Sequence, residues 1–249
     1  EVVVTATKKE ESTQDIAVSI TAITADQLAA DQIYDLQDLA EIVPGFGVAK
    51  GIGSGSGFVM RGIGSYGVGA AVVSSIVTSI NGHSVNPSIM NDMGFMDLER
   101  IEVLNGPQGT LFGRNSVAGV INLITARPTG EFEGYVDYES GNYDKETVKG
   151  AVNMPISDTV RARLAFMTNT RDGMVENTTN GNKMDDRNDQ AVRLSLDWDI
   201  NDVTELKFTY SGQKSNDNRP QEEISYCQQD PFFGCSPWER GTPNTAADS

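Results

Sequence analysis

Downstream of residue 130 the chain alternates. In 131–139 the odd positions are Glu131, Glu133, Tyr135, Asp137 and Glu139 and the even ones are Phe132, Gly134, Val136 and Tyr138, which places polar groups on one face of an extended strand and apolar groups on the other. The pattern returns with Val148, Gly150, Val152 and Met154, and with Val160, Ala162, Leu164 and Phe166 against Arg161 and Arg163. It returns again with Val192, Leu194, Leu196 and Trp198 against Arg193 and Asp197, and with Leu206, Phe208 and Tyr210 against Glu205 and Lys207. About five strands of roughly 9–13 residues are predicted, long enough to cross a bilayer at a tilt. Ile156–Asp158 and Ile200–Asp202 read as tight turns, whereas 171–187 and the stretch after Gln213 are long and polar.

The first 128 residues follow another rule. Ile16 to Ile23 alternates as a short strand, and Thr24 with Gln27 has the spacing of a capping box opening a helix over Leu28. Asp35 is placed to cap a second helix carrying Leu36, Leu39, Ile42 and Val43, which Pro44-Gly45 would stop. Further strands are predicted at Phe58–Arg61, Ser75–Ile80, Arg100–Leu104 and Val120–Thr125. The sum is a small α+β domain whose glycine-rich connections at 51–57 and 62–69 suggest binding loops.

Composition narrows the function classes. The chain has 249 residues and a formal charge of −16, so a basic nucleic-acid footprint is excluded. No window approaches the roughly 18 consecutive apolar residues of a membrane-spanning helix. A transmembrane β-barrel is not excluded, because alternating strands average to a hydrophilic sequence. Alternation also fits a soluble antiparallel sheet with one face on a core. The aromatic residues Phe132, Tyr138, Trp198 and Tyr210 favour a membrane girdle. Five strands cannot enclose a domain, so a barrel reading makes this chain only part of one.

Candidate chemistry is sparse. His83 is the single histidine and sits in a polar turn without an evident nucleophile beside it. Gly62-Ile63-Gly64-Ser65-Tyr66-Gly67 fits a dinucleotide-binding glycine pattern, but the small and β-branched residues after it do not open the helix that such a site needs. Asp185, Asp186 and Asp189 could ligate calcium or simply form a solvated acidic loop. Cys227 and Cys235 would form a local disulfide in an oxidising compartment and remain free thiols otherwise.

The run from Asp97 to Thr125, with Glu99-Arg100-Ile101-Glu102-Val103-Leu104-Asn105-Gly106-Pro107-Gln108-Gly109-Thr110-Leu111-Phe112-Gly113-Arg114 at its centre, resembles the end of the plug domain of TonB-dependent outer-membrane receptors. Glu1-Val2-Val3-Val4-Thr5-Ala6 looks like the TonB box, and Val43-Pro44-Gly45, Met60-Arg61-Gly62-Ile63-Gly64 and Ile80-Asn81-Gly82 follow in family order. The resemblance implies an α+β plug followed by antiparallel transmembrane strands of a barrel that has 22 strands in the family. It divides the chain into 1–12 (box and linker), 13–128 (plug) and 129–249 (about five barrel strands with external loops).

Function is implied by the same resemblance: import of a scarce ligand, such as a ferric siderophore, across the outer membrane of a Gram-negative bacterium, driven through TonB by the inner-membrane proton gradient. The alternatives are an outer-membrane signalling receptor and a soluble nucleotide-dependent enzyme. The implied partners are the periplasmic TonB domain, outer-membrane lipid and the ligand, with no nucleic acid, no cofactor and no enzymatic step. Glu1, Val2, Val3, Val4, Thr5 and Ala6 would bind TonB as an added strand, kept out of the core by the polar run 7–12. Carried over by motif, Tyr66, Val68, Asn86, Ser88 and Met90 would touch ligand. Arg61 would pair with barrel carboxylates, while the second family arginine is replaced here by Asn105. The identity of the cargo is not encoded in these residues.

Overall fold

The computed structural model describes residues 3–5, 11–12, 19–50, 56–64, 74–85, 94–176 and 181–218. They form an α+β unit and, after a short linker, an all-antiparallel wall of strands.

In the α+β unit a five-stranded sheet has the order β3 (Ile20–Thr24), β9 (Leu98–Asn105), β10 (Gly119–Thr125), β7 (Ile76–Ile80), β8 (His83–Val85). Strands β7 and β10 pair in parallel and the other neighbours are antiparallel. One face of this sheet carries Ile101, Val103, Ile121 and Leu123, packed with Leu28, Leu36 and Leu39 into the main core. Helix α1 (Ala25–Ala30) opens with the expected capping box, Thr24 accepting from the Gln27 amide and Gln27 reaching back to the Thr24 amide. Helix α2 is shorter than predicted, Leu39–Ile42, because the Asp35 carboxylate instead accepts the Gln37 and Asp38 amides in a turn that precedes it. A third short helix, α3 (Gly109–Phe112), fills the connection between β9 and β10.

A second, three-stranded sheet joins β4 (Phe46–Lys50), β5 (Ser56–Met60) and β6 (Ile63–Gly64). Its last turn holds Arg61 at φ 51° and Gly62 at φ 80°, the pair of left-handed residues that a tight hairpin requires, and Asn81-Gly82 repeats the device between β7 and β8. Strand β4 is a pairing that hydrophobic pattern alone did not indicate. At the N-terminus β1 (Val3–Val4) pairs with β2 (Glu11–Ser12).

The wall runs β11 (Glu133–Gly141), β12 (Lys145–Pro155), β13 (Val160–Arg171), β16 (Arg187–Asn201), β17 (Thr204–Ser215). A small hairpin, β14 (Val175–Glu176) with β15 (Lys183–Met184), lies in the long connection between β13 and β16. Register explains the alternation: Val136, Gly150, Phe166, Val192 and Gly212 line up across the wall, as do Gly134, Val152, Leu164, Leu194 and Tyr210. These rows are the outward face. Phe166, Val192, Leu194, Phe208 and Tyr210 are solvent-exposed there, an arrangement that a soluble domain would have to cover. The inward rows hold Glu133, Asn153, Arg163, Ser195 and Thr209, and Tyr135, Ala151, Ala165, Arg193 and Ser211. The turns after β12 and β16 are tight as predicted. The connection after β11, residues 142–144, is also short, although it lies at the same end as the long connection 172–186.

Candidate functional site

Among the described residues, the inward face of the wall meets the α+β unit most closely at the short segment Phe95–Asp97. Met96 is buried against Ala151, Ala165, Met167 and Ala191, a patch whose small side chains leave room for a thioether. Asp97 follows, at φ 49° and almost fully buried. Its carboxylate takes a two-pronged ion pair from Arg163, with Nε to Oδ2 at 2.8 Å and Nη2 to Oδ1 at 2.7 Å, and accepts the Tyr135 hydroxyl at 3.3 Å. Arg193 donates to the Met96 and Asp97 carbonyls at 2.8 and 3.2 Å. The Asp97 carbonyl also accepts the Ala126 amide at the head of the linker. One residue therefore ties together the start of β9, the linker and three strands of the wall, through planar guanidinium geometry that a lysine could not reproduce.

Neighbouring contacts widen the junction. Arg127 grips Asp197 at 2.9 Å, and fully buried Asn153 exchanges hydrogen bonds with the Thr129 backbone. The Lys145 and Lys149 ammonium groups lie 5.8 and 5.5 Å from the centre of the Tyr34 ring, whose backbone carbonyl accepts the Phe95 amide. The alternation had already put Arg161, Arg163 and Arg193 on the wet face. What the sequence did not reveal is that Arg163 and Arg193 both converge on Asp97, because the partners are 66 and 96 positions apart; Arg161 pairs instead with Asp199.

The second constellation lies on the other face of the five-stranded sheet. There Val77, Leu104, Phe112 and Val120 form an apolar cluster, while Glu102, Asn122 and Ser79 bring polar groups into full burial. Glu102 is satisfied four times: by the Thr5 amide at 2.7 Å, the Thr5 hydroxyl at 3.1 Å, Arg100 Nε at 2.9 Å and Asn122 Nδ2 at 3.1 Å. Asn122 in turn accepts from Ser79 Oγ and from the Gly82 amide. Val4 is fully buried beside this network. The expectation that the polar run 7–12 keeps the N-terminal segment out of the interior is thus corrected: Val4 packs inside, because Glu102 supplies the acceptor that the Thr5 amide needs to leave water.

Of the other residues singled out in the sequence, Glu1, Val2, Ala6, Tyr66, Val68, Asn86, Ser88, Met90, Cys227 and Cys235 lie outside the described residues. Arg61 is exposed in its turn, and its Nη2 donates to Ser19 Oγ at 3.3 Å. The Ser19 carbonyl accepts the Asn105 amide at 2.9 Å, so the two family latch positions, Arg61 and Asn105, meet at one serine. Asp185 pairs with Arg171 and Arg187, and Asp186 accepts from Asn218. Among the described residues no three carboxylates, histidines or cysteines converge as metal ligands. Arg171, Arg187 and Lys183 instead line a polar cleft of about 310 Å³ at the end of the wall that carries the connections 142–144 and 172–186.

Residues 12–120 match the family model of the TonB-dependent receptor plug domain. The chain is 30% identical over 182 residues to the iron-regulated outer membrane virulence protein of Vibrio cholerae, covering 68% of this chain and 28% of that protein. It is 31% identical over 130 residues to a vitamin B12 transporter of Vibrio vulnificus, covering 50% of this chain and 20% of that one. Among solved structures it superposes on the ferric yersiniabactin uptake receptor of Yersinia pestis with a TM-score of 0.70 at 22% identity, over 79% of this chain and 31% of that one, a likeness of fold. The chain thus spans well under half the length of the proteins it resembles. With the plug model on its α+β unit, the same fold in receptor structures and an outward apolar wall continuous with it, this chain belongs to the TonB-dependent outer-membrane receptors and carries the plug together with part of the barrel wall.

Proposed function

We propose that the receptor containing this chain imports a scarce nutrient, a siderophore-type metal chelate or a similar ligand, across the outer membrane, with energy delivered through TonB from the inner-membrane proton gradient. The observation that carries this reading is the state of the N-terminal segment. Val3–Val4 is a ready-made β-strand, and among the described residues its attachment to the plug runs through the polar contacts of Thr5 with Glu102 and Arg100 and through the buried side chain of Val4. A strand held this way can be taken up by a partner's sheet edge without unfolding the main core.

On this reading Glu1 to Ala6 engage the periplasmic TonB domain. Tyr66, Val68, Asn86, Ser88 and Met90 contact ligand at the outer tips of the plug, and Arg61 faces carboxylates on wall strands outside this chain. Cys227 and Cys235 close a small external loop. The relatives named for yersiniabactin and for vitamin B12 support metal-chelate cargo, and the mixed, weakly charged set of tip residues gives no preference for a strongly anionic one.

The test is retention of the complete receptor on immobilised periplasmic TonB domain, with and without Val3→Pro, in parallel with cellular uptake of an iron-55 siderophore panel and of cyanocobalamin. Proline removes one backbone donor and fixes φ, so both retention and uptake should fall to background. Unchanged retention would refute the assignment of the box.

A further inference from the structure

We infer that Glu102 is the holdfast of the N-terminal segment, a positioning residue whose carboxylate sets how much of the time residues 3–5 are docked on the plug. This deepens the proposed function and rests on it only for the identity of the partner that takes the released strand.

Glu102 is fully buried in the centre of β9, where an unpaired carboxylate could not remain charged without heavy cost. Its charge is met within the sheet by Arg100, two positions along the same strand, and by Asn122 directly across the β9–β10 ladder. Those two donors alone leave lone pairs on both oxygens open, and the Thr5 amide and hydroxyl fill them. The arrangement is asymmetric in a useful way. When Thr5 leaves, Glu102 keeps its countercharge and one amide donor, so the sheet survives undocking, while Thr5 loses the long-range polar partners it has among the described residues of the sheet, Glu102 and Arg100. Undocking is therefore a local event.

The same network has a second end. Asn122 Oδ1 is shared by Ser79 Oγ at 2.8 Å and the Gly82 amide at 3.0 Å, and Asn81 exchanges two hydrogen bonds with Thr125. A shift of the Asn81-Gly82 turn would turn the Asn122 amide and withdraw its Nδ2 from Glu102. Asn122 thus links the carboxylate that holds the N-terminal strand to the turn that ends β7, which makes the two exposures interdependent.

The experiment uses the complete detergent-solubilised receptor carrying Val4→Cys, whose thiol is buried when the segment is docked. Labelling by a membrane-impermeant maleimide is read over the background of the receptor without that cysteine. Glu102→Gln is expected to speed labelling by roughly tenfold, the weakening of one charge-assisted contact, and Thr5→Pro, which removes both the amide and the hydroxyl donor, by at least about tenfold. Combining them should add little, since both act on one contact, whereas general loosening of the plug would multiply the effects. Labelling within twofold of the parent in Thr5→Pro would overturn the inference. Thr5 belongs to neither apolar cluster of the plug, so this variant decides the matter even if Glu102→Gln does not fold. TonB-domain retention of the parent receptor, with residues 1–6 unchanged, separates the two readings: faster labelling of the variants with no TonB binding by the parent leaves the holdfast standing and removes the transport assignment, and TonB binding by the parent with unchanged labelling of the variants does the reverse.

Discussion

Replacing Asp97 by Asn tests the junction between plug and wall with little side effect. Asp97 has a left-handed backbone that Asn tolerates as well as Asp does, so the substitution removes charge without adding strain. The Asp97 side chain is 4% exposed and that of Arg163 is 10% exposed, which leaves little solvent to screen the guanidinium once its carboxylate is gone. Breaking a buried pair by removing one partner costs about 3–5 kcal/mol. An amide oxygen keeps one acceptor in place, so we expect the lower end, about 3 kcal/mol, or roughly a hundredfold rise in the open fraction of the junction. Hydrogen–deuterium exchange of peptides spanning 94–106 in the detergent-solubilised receptor reads that fraction directly. A cycle with Arg163→Gln should return a coupling energy above about 1.5 kcal/mol. By contrast Arg127→Gln, at a side chain 46% exposed, should change exchange by less than about 1 kcal/mol. Protection in Asp97→Asn within threefold of the parent would mean that the wall holds the plug by shape alone, and the electrostatic argument would fail.

Other outcomes follow from single sites. Gly119→Ala would drive a Cβ into the Leu104 carbonyl and Met60 Sδ; Met60 can turn away but the strand backbone cannot, so a loss of about 1–3 kcal/mol is expected in urea unfolding of the plug. Leu194→Lys, in the middle of an outward row, should cost about 2–4 kcal/mol of barrel stability in bilayers, whereas Ser195→Lys on the inward face should leave lipid insertion intact. Burial pushes the Asp35 carboxyl above its ordinary value, so the folded plug binds that proton more readily than the unfolded chain does. Its charge therefore opposes folding from about pH 4 upward, stability should fall as pH rises through the raised value, and Asp35→Asn should flatten that slope in pH-dependent thermal melts.

How much of this was legible in the sequence depended on range. The wall strands were readable because each carries its own evidence, a period of two that needs no partner to be seen, and the cross-strand register then put Val136, Gly150, Phe166 and Val192 in one row. The Thr24–Gln27 capping box was readable for the same reason, being complete within four residues. Strand β4 was not, since Phe46-Gly47-Val48-Ala49-Lys50 gains its identity only by pairing with Ser56–Met60. Helix α2 was placed too early because an Asp before an apolar run can cap either a helix or a turn, and the Gln37 and Asp38 amides chose the turn. The junction was half visible: inward arginines on β13 and β16 demanded a carboxylate, but the nearest family precedent pointed to a plug arginine, Arg61, rather than to Asp97. The Glu102 network was hidden altogether, because a charged residue in the middle of Ile101 to Leu104 reads as the solvent face of a strand until Thr5 is seen lying on it.

The two constellations lie just before and within one strand, and on the proposed function they would divide a mechanical task. Asp97 precedes β9 and Glu102 lies within it, five positions on, about 17 Å at the rise of an extended chain. Tension applied at the N-terminus reaches the plug at Thr5 and Glu102 and must cross β9 before it loads the wall. At the first point a few hydrogen bonds and the buried Val4 resist; at the second, a two-pronged ion pair, two bonds from Arg193, one from Tyr135 and the Met96 contact resist together. With each charge-assisted bond worth about 1.5–3 kcal/mol, the N-terminal contact should open first, and by a margin of several kcal/mol. Exchange of the Val4 and Thr5 amides should accordingly be faster by at least about two orders of magnitude than that of the Phe95 to Leu98 amides in the same receptor. If both segments exchanged at one common rate, plug and N-terminal strand would be a single cooperative unit, and release of the strand could not precede movement of the plug.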